Sequence, residues 1–437
     1  MKTTFQLLLC ALFVSPVISL SYAGNSSGPE SGLSLQEGTK QNSKCGTVEF
    51  NKRVLERYPQ YKAEIESIEK FTKGYEKTDN LIITIPLVVH VIYNLPEQNI
   101  SDAQIQSQID VLNRDFARLN ADTVNTPAPF KPLGANVQIQ FCLAQRTPNN
   151  EFTNGITRTM TNIVSYTVDD TSMYYASLGG VDIWDRNRYF NCYVVNFTGT
   201  ILGFAQLPGG PPNTDGMVIG HKYFGTIGTV VPPNDKGRTA THEVGHWFNL
   251  QHIWGDEPGC AQDDEVDDTP LQAGENGGCP AFPLLDACTT VAPGVMFTNY
   301  MDYVDDNCMN IFTIGQSTRM NAALSGPRAS LITSNGCTSV GINNISSEVP
   351  ESFLLQQNYP NPFNPNTNIV FSIPKSSFVT LKIFDIAGKE IATIVNQNLP
   401  SGTFKADWNA SGFSSGLYLY TIETDGFRQT RKMMLTK

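Results

Sequence analysis

The chain has 437 residues, with 41 acidic against 30 basic side chains and a formal net charge of −11, which argues against nucleic acid as a partner. Beyond the N-terminal leader, no run approaches the uninterrupted apolar length that a membrane span needs. Nine cysteines in a chain with an export leader imply an oxidising compartment in which most of them pair.

The first predicted element is a secretory signal peptide over 1–23. It has Lys2 near the start, an apolar run from Phe5 to about Leu20, and Ser21-Tyr22-Ala23 before the expected cut. Cys10 is embedded in that run and does not read as a lipid-attachment site. Residues 24–40 are rich in Gly, Ser, Asn and Gln and carry few apolar groups, a composition that cannot build a core. Around Val54-Leu55-Glu56-Arg57 and Ile65-Glu66-Ser67-Ile68 a charged helical pattern follows, and 24–79 together read as a pro-segment.

A larger unit, 80–337, comes next and is long enough for one substantial core or for two lobes around a cleft. It opens on Ile82–Tyr93, an apolar run typical of a buried strand. Ser101-Asp102-Ala103-Gln104 looks like a helix start, with Ile105, Ile109, Leu112 and Phe116 at helical spacing. Gln138–Leu143 and Phe190–Asn196 read as further strands, and a helix is expected at about Gly315–Thr333. Between Thr239 and Thr318 there is no Lys or Arg but there are thirteen acidic residues, densest at Asp263-Asp264-Glu265-Val266-Asp267-Asp268. Crowded carboxylates need solvent or a hard cation, and calcium takes such oxygen ligands.

Three of the five histidines fall within His242-Glu243-Val244-Gly245-His246-Trp247-Phe248-Asn249-Leu250-Gln251-His252. On a helix His242 and His246 share a face and reach one metal, and Glu243 projects beside them as a general base. His252 comes six residues after His246, so the chain must turn sharply after Phe248; Asn249 is the residue that tolerates the left-handed backbone this requires. Three neutral imidazoles leave one zinc position open, which is the catalytic arrangement.

These residues resemble the metzincin metallopeptidases, whose signature is H-E-x-x-H-x-x-G-x-x-H followed by a methionine turn. Within that group the chain looks most like the pappalysins of the ulilysin type. The resemblance is carried by Gly237–Thr241, His252–Asp256, Asp268-Thr269-Pro270, Asn299–Tyr303 and Cys308-Met309-Asn310, and covers roughly 80–337. Asn249 departs from the usual glycine. The resemblance implies an α+β fold, a two-lobed zinc peptidase domain, in which Leu202–Pro208 is the strand at the upper edge of the cleft. It also implies Met301 as the methionine-turn residue, Tyr303 as a stabiliser of the tetrahedral intermediate, and the disulfides Cys260–Cys288 and Cys279–Cys308. Cys142, Cys192 and Cys337 stay open. Relatives bind calcium before the D-T-P motif, which maps here to Asp264, the Val266 carbonyl and Thr269. They also use a pro-segment cysteine as a latency switch by occupying the fourth zinc position, and Cys45 fits that place. Asp305 and Asp306, just after the methionine turn, would favour basic residues next to the scissile bond.

A Ser/Asn-rich linker, 338–352, leads to a C-terminal module, 353–437. Alternating strands Ile369–Ile373, Val379–Phe384 and Gly416–Ile422, with a turn at Asp385–Gly388, predict a small all-β sandwich. From Asn358-Tyr359-Pro360-Asn361-Pro362 to the basic tail, this module resembles the sorting domain of type IX secretion. That implies the type IX machinery as partner, passage to the cell exterior, and removal of the module. The expected function is therefore a secreted zinc endopeptidase made as a latent zymogen, with protein or peptide substrates. The alternative is a non-catalytic surface adhesin on the same scaffold.

Overall fold

The computed structural model describes residues 44–77, 81–150, 153–338, 342–346 and 348–437. The expected signal peptide and the stretch 24–40 lie outside the described residues.

Two helices come first, α1 (Thr47–Arg57) and α2 (Lys62–Lys73). They are separate because Pro59 offers no N–H to continue α1, and a single 3-10 turn, Pro59–Tyr61, intervenes. In α1 the buried Thr47, Phe50 and Val54 fall three and four apart and so share one face.

The next part is built on a sheet of β1 (Ile83–Tyr93), β2 (Ile139–Leu143), β3 (Ile156–Met160), β4 (Phe190–Val195), β5 (Gly203–Ala205) and β6 (Met217–Gly220). Its order is β2-β1-β4-β6-β5, with β3 pairing further along β1. Every pairing is parallel except β5 with β6, so the edge strand alone runs the other way. The unbroken burial of β1 from Ile85 to Ile92 is what a parallel strand covered on both faces requires. Helix α3 (Asp102–Phe116) packs its apolar stripe on this sheet, and Ser101 caps it by accepting from the Gln104 N–H at 3.1 Å. Helix α4 (Arg238–Trp247) and helix α5 (Ile314–Ser325) join the same core, in which Leu112, Phe190, Trp247, Met301 and Met320 are fully buried.

One boundary differs from expectation. The last helix of this part ends at Ser325, not near Thr333, because Pro327 follows Gly326 and lacks the donor that a continuing helix needs. A 3-10 segment, Ala329–Thr333, takes over. Cys142 and Cys337, left open by spacing, form a disulfide that ties β2 to the end of this part, and Cys192 is a buried free thiol in β4. Cys260–Cys288 and Cys279–Cys308 are also disulfides. Their sequence separations are 28 and 29 residues. Closing loops of that length removes about 3–4 kcal/mol worth of unfolded-state freedom per bridge. That restraint falls where regular structure is scarce.

The C-terminal part is a sandwich of two four-stranded sheets with orders β11-β10-β13-β14 and β7-β12-β9-β8. Its strands are β7 (Ile342–Ser346), β8 (Leu354–Leu355), β9 (Asn366–Ile373), β10 (Ser377–Phe384), β11 (Glu390–Leu399), β12 (Gly402–Asn409), β13 (Gly416–Thr424) and β14 (Phe427–Leu435). Alternation builds the core: Phe404, Ala406 and Trp408 of β12 point inward and their neighbours do not. The Asp385 carboxylate, accepting from the Ala387 and Lys389 N–H groups, forms the turn into β11. The expected linker is partly structured, since β7 lies inside it and pairs antiparallel with β12. A polar five-residue edge strand carries too little alternation to be read in advance.

Candidate active site

Helix α4 is buried over its whole length. Its N-terminal Gly237 has φ +77° and no capping side chain; the Asp306 carboxylate supplies the cap instead, accepting from the Lys236 and Arg238 N–H groups at 2.8 and 3.2 Å. An anion there is favoured by the helix dipole. The guanidinium of Arg238 is buried among Asp115, Asp122 and the Tyr300 hydroxyl, which fixes the start of the helix to α3.

At the other end, Asn249 has φ +73°, the left-handed turn that the motif spacing demands, and the Leu250 N–H returns to the Gly245 carbonyl at 3.0 Å. His252 is thereby swung back toward His242 and His246. Met301 lies beneath, fully buried, and a Cβ on Gly245 would stand 2.5 Å from its sulfur. Only glycine at 245 lets the methionine seat against the helix.

The three imidazoles converge. Nε2 of His246 lies 3.1 Å from Nε2 of His242 and 3.1 Å from Nε2 of His252. Each Nδ1 has its own acceptor: the Tyr300 carbonyl at 2.7 Å, the Leu250 carbonyl at 2.8 Å, and the Asp256 carboxylate. With every Nδ1 donating, the three Nε2 atoms are left as lone pairs facing one another, which is repulsive unless a cation sits among them. Nitrogen ligands on one tetrahedral zinc stand about 3.4 Å apart, so the donor set fits zinc. Burial lowers the pKa of His242, to about 3, and that of His246; neutral rings are the ligating form. Cys45 Sγ joins the three nitrogens in one cluster among the described residues that could hold a metal, with all four ligand atoms within 4.8 Å of one another.

Glu243 lies beside them, 1 % exposed. Burial pushes its carboxyl up to about 8, against the Cys45 and Thr47 hydrogen bonds, which lower it. Thr47 donates to it at 2.9 Å, and Cys45 Sγ stands 3.5 Å away. Burial, then the neighbouring Glu243, push the Cys45 thiol well up; a bound divalent cation has the opposite effect on a thiol. The N-terminal segment enters along the edge strand, with the Gly46 N–H on the Gly203 carbonyl at 2.9 Å and the Leu202 N–H on the Lys44 carbonyl at 2.7 Å. Thr47 Oγ1 also accepts from the Ala205 N–H at 2.9 Å.

Tyr303 is half-buried, with its ring 5.0 Å from that of His252 and 5.7 Å from that of His242. Two neighbours, read only as part of the block His252–Asp256, had no role assigned from the sequence. Trp254 stacks on His252 at 4.5 Å, and Asp256, φ +66°, orients that imidazole. A carboxylate four residues after a ligating histidine was the available signal. Asp305 and Asp306 part company: Asp306 is buried on the helix terminus, and Asp305 faces Lys44 Nζ at 3.7 Å. In the acidic loop, Asp264 is 2 % exposed, and its Oδ2 has no hydrogen-bond partner. Its Oδ1 accepts from Thr269, whose hydroxyl lies 2.7 Å from both Oδ1 and the Val266 carbonyl. Burial raises the Asp264 pKa to about 7.

An active-site helix of this form, set under an antiparallel edge strand and over a buried methionine, is the build of a metzincin zinc peptidase. Residues 179–325 match the family described as pregnancy-associated plasma protein-A, and 357–436 match the secretion system C-terminal sorting domain. The chain belongs to that peptidase family, the pappalysins. An extracellular metalloprotease of Pyricularia oryzae is 32 % identical over 300 residues, covering 65 % of this chain and 90 % of the relative. Among solved structures, mature mirolysin of Tannerella forsythia in complex with a cleaved peptide is 51 % identical. That match covers 58 % of this chain and 97 % of the other, with a TM-score of 0.58. A Tannerella forsythia promirolysin mutant is 48 % identical, covering 66 % and 97 %, with a TM-score of 0.62. The chain is thus a secreted metallopeptidase made with a propeptide and a type IX sorting tail.

Proposed function

We propose that this is a zinc-dependent endopeptidase in which His242, His246 and His252 hold the metal and Glu243 is the general base. The observation that carries it is the set of three Nε2 lone pairs aimed at one point beside a buried carboxylate. Zinc, when bound, acidifies water and withdraws charge from the scissile carbonyl. Glu243 takes the proton of the attacking water and hands it to the departing amine. The Tyr303 hydroxyl donates to the oxyanion as it forms. Met301 packs below the imidazoles and excludes water from that side. An extended substrate pairs with the backbone groups of β5. Residues 24–79 are then the pro-segment, 80–337 the catalytic domain and 353–437 the module removed on export. Cys45 holds the fourth metal position in the latent form, and Thr47 occupies the base.

Lys44 gives a direction for specificity. Its ammonium reaches the Tyr303 carbonyl at 3.0 Å and faces Asp305, so a basic side chain is accommodated beside the metal position. One experiment tests both readings: profile the activated enzyme on a peptide library with and without a chelator. Cleavage should vanish on chelation, return with zinc, and favour bonds flanked by Lys or Arg, with Asp305→Asn flattening that preference. Chelator-resistant cutting removes the first reading; equal cutting beside apolar residues removes the second.

The acidic loop is read as a calcium site at Asp264, the Val266 carbonyl and Thr269, because a buried carboxylate oxygen with no partner is costly unless a cation takes it. Calcium at a hundred times its dissociation constant adds about 2.7 kcal/mol, or roughly 5–10 °C in unfolding temperature for a domain of this size. EGTA in the presence of excess zinc should remove that increment, and Asp264→Asn should abolish the response. An unfolding temperature indifferent to calcium excludes the site.

A further inference from the structure

The N-terminal segment meets the catalytic domain at several places, and two of them bear on latency. The first is the cleft. The second lies at the C-terminal end of α4, where the Asn249 turn, α5 and the loop around Gly209 come together beneath α2. There Glu69 forms a two-pronged pair with Arg319, at 2.8 and 2.6 Å. Arg319 is 4 % exposed, and its Nε donates to the Asn249 carbonyl at 2.6 Å. The Asn249 amide turns back to α2, reaching Glu69 Oε2 at 3.4 Å and Thr72 Oγ1 at 3.3 Å. The surface is notched for a helix: a Cβ on Gly209 would stand 2.8 Å from Ile68 Cδ1, and one on Gly326 would stand 2.7 Å from Phe71 Cε1.

We propose that the catalytic domain carries a helix-docking site centred on Arg319 and Asn249, and that α2 of the pro-segment is its occupant, held there independently of Cys45. Bidentate pairing to a largely desolvated guanidinium is strong and directional. Losing α2 breaks both prongs at once, so the pair governs how slowly the helix leaves. Two contacts on one tether reinforce each other: when the thiol opens, α2 keeps it nearby and it closes again. The same arrangement gives Asn249 a second task. Glycine at this position would make the turn equally well, but it has no side-chain amide to read the pro-segment. The turn that delivers His252 is therefore also the place where the pro-segment is recognised.

The test uses the full chain and four forms: the natural sequence, Glu69→Ala, Asn249→Gly and Cys45→Ala. Hydrogen–deuterium exchange is followed separately over 62–73 and 45–57, with the lag before peptide cleavage as a second readout. Glu69→Ala and Asn249→Gly should speed exchange in 62–73 by about tenfold while 45–57 stays near its natural rate, because docked units open separately, and both should shorten the lag. Asn249→Gly keeps the φ +73° turn, so it answers the question even if Glu69→Ala folds poorly. Natural exchange rates over 62–73 in both variants, or equal acceleration of 45–57, overturns the proposal. The lag depends on the reading of Cys45 as the latch, whereas exchange does not. If Cys45→Ala stays latent while α2 responds as stated, the latch reading fails and the docking site stands.

Discussion

Glu243→Ala is expected to keep stoichiometric zinc and lose at least about a thousandfold in turnover, the upper part of the range for a positioned general base. The two halves of that expectation come from different atoms. On the proposed assignment metal affinity is set by the three imidazoles, each locked by its own Nδ1 acceptor, and Glu243 supplies none of those bonds. Proton transfer, in contrast, has no other buried carboxylate in position among the described residues: Asp302 is tied up by Gln272 and Asn276, and Asp306 by the helix terminus. A thousandfold is about 4 kcal/mol of barrier, reasonable for a group held without solvent. Elemental analysis alongside kcat on a peptide substrate checks both halves. Activity within tenfold of the natural enzyme would assign the base elsewhere.

Cys45→Ala is expected to give a full-length chain with basal activity raised by about 10- to 100-fold, since removing a ligand from the closed form shifts the population toward the open one. The increase should stop short of full activity. The segment would still pair with β5 through Gly46 and Lys44, and Thr47 would still hold Glu243. Substrate must displace all of these. Initial rates of the unprocessed variant, before any shortening is visible on a gel, measure the effect; a rate equal to that of the natural zymogen would rule out the thiol as latch.

How much of this was legible depended on range. The zinc motif is local, so its spacing alone dictated a shared helical face and a left-handed turn, and Asn249 adopts that turn. The Ser101 cap and the apolar run of β1 were equally local. The Cys142–Cys337 bridge, the Asp306 cap 68 residues from its helix and the Glu69–Arg319 pair 250 residues apart are set by the finished fold and leave no periodicity to read. Asp256 was visible in the block His252–Asp256 but was given no role, because one carboxylate in a strongly acidic stretch does not stand out. Strand β7 hid within a polar connector. Asp305 and Asp306, adjacent in sequence, could not be told apart until one was seen capping α4 and the other facing Lys44.

The double use of the Thr47 hydroxyl, donating to Glu243 while receiving the Ala205 N–H, has a practical bearing. In the precursor the carboxylate proposed as the base and the strand edge that would recognise a ligand are both already engaged by the chain itself. A hydroxamate-type affinity probe, which needs that edge and that carboxylate to be vacant, would label matured molecules and pass over precursors. Labelling a culture that secretes the protein with such a reagent would then report the processed fraction, not the total amount secreted.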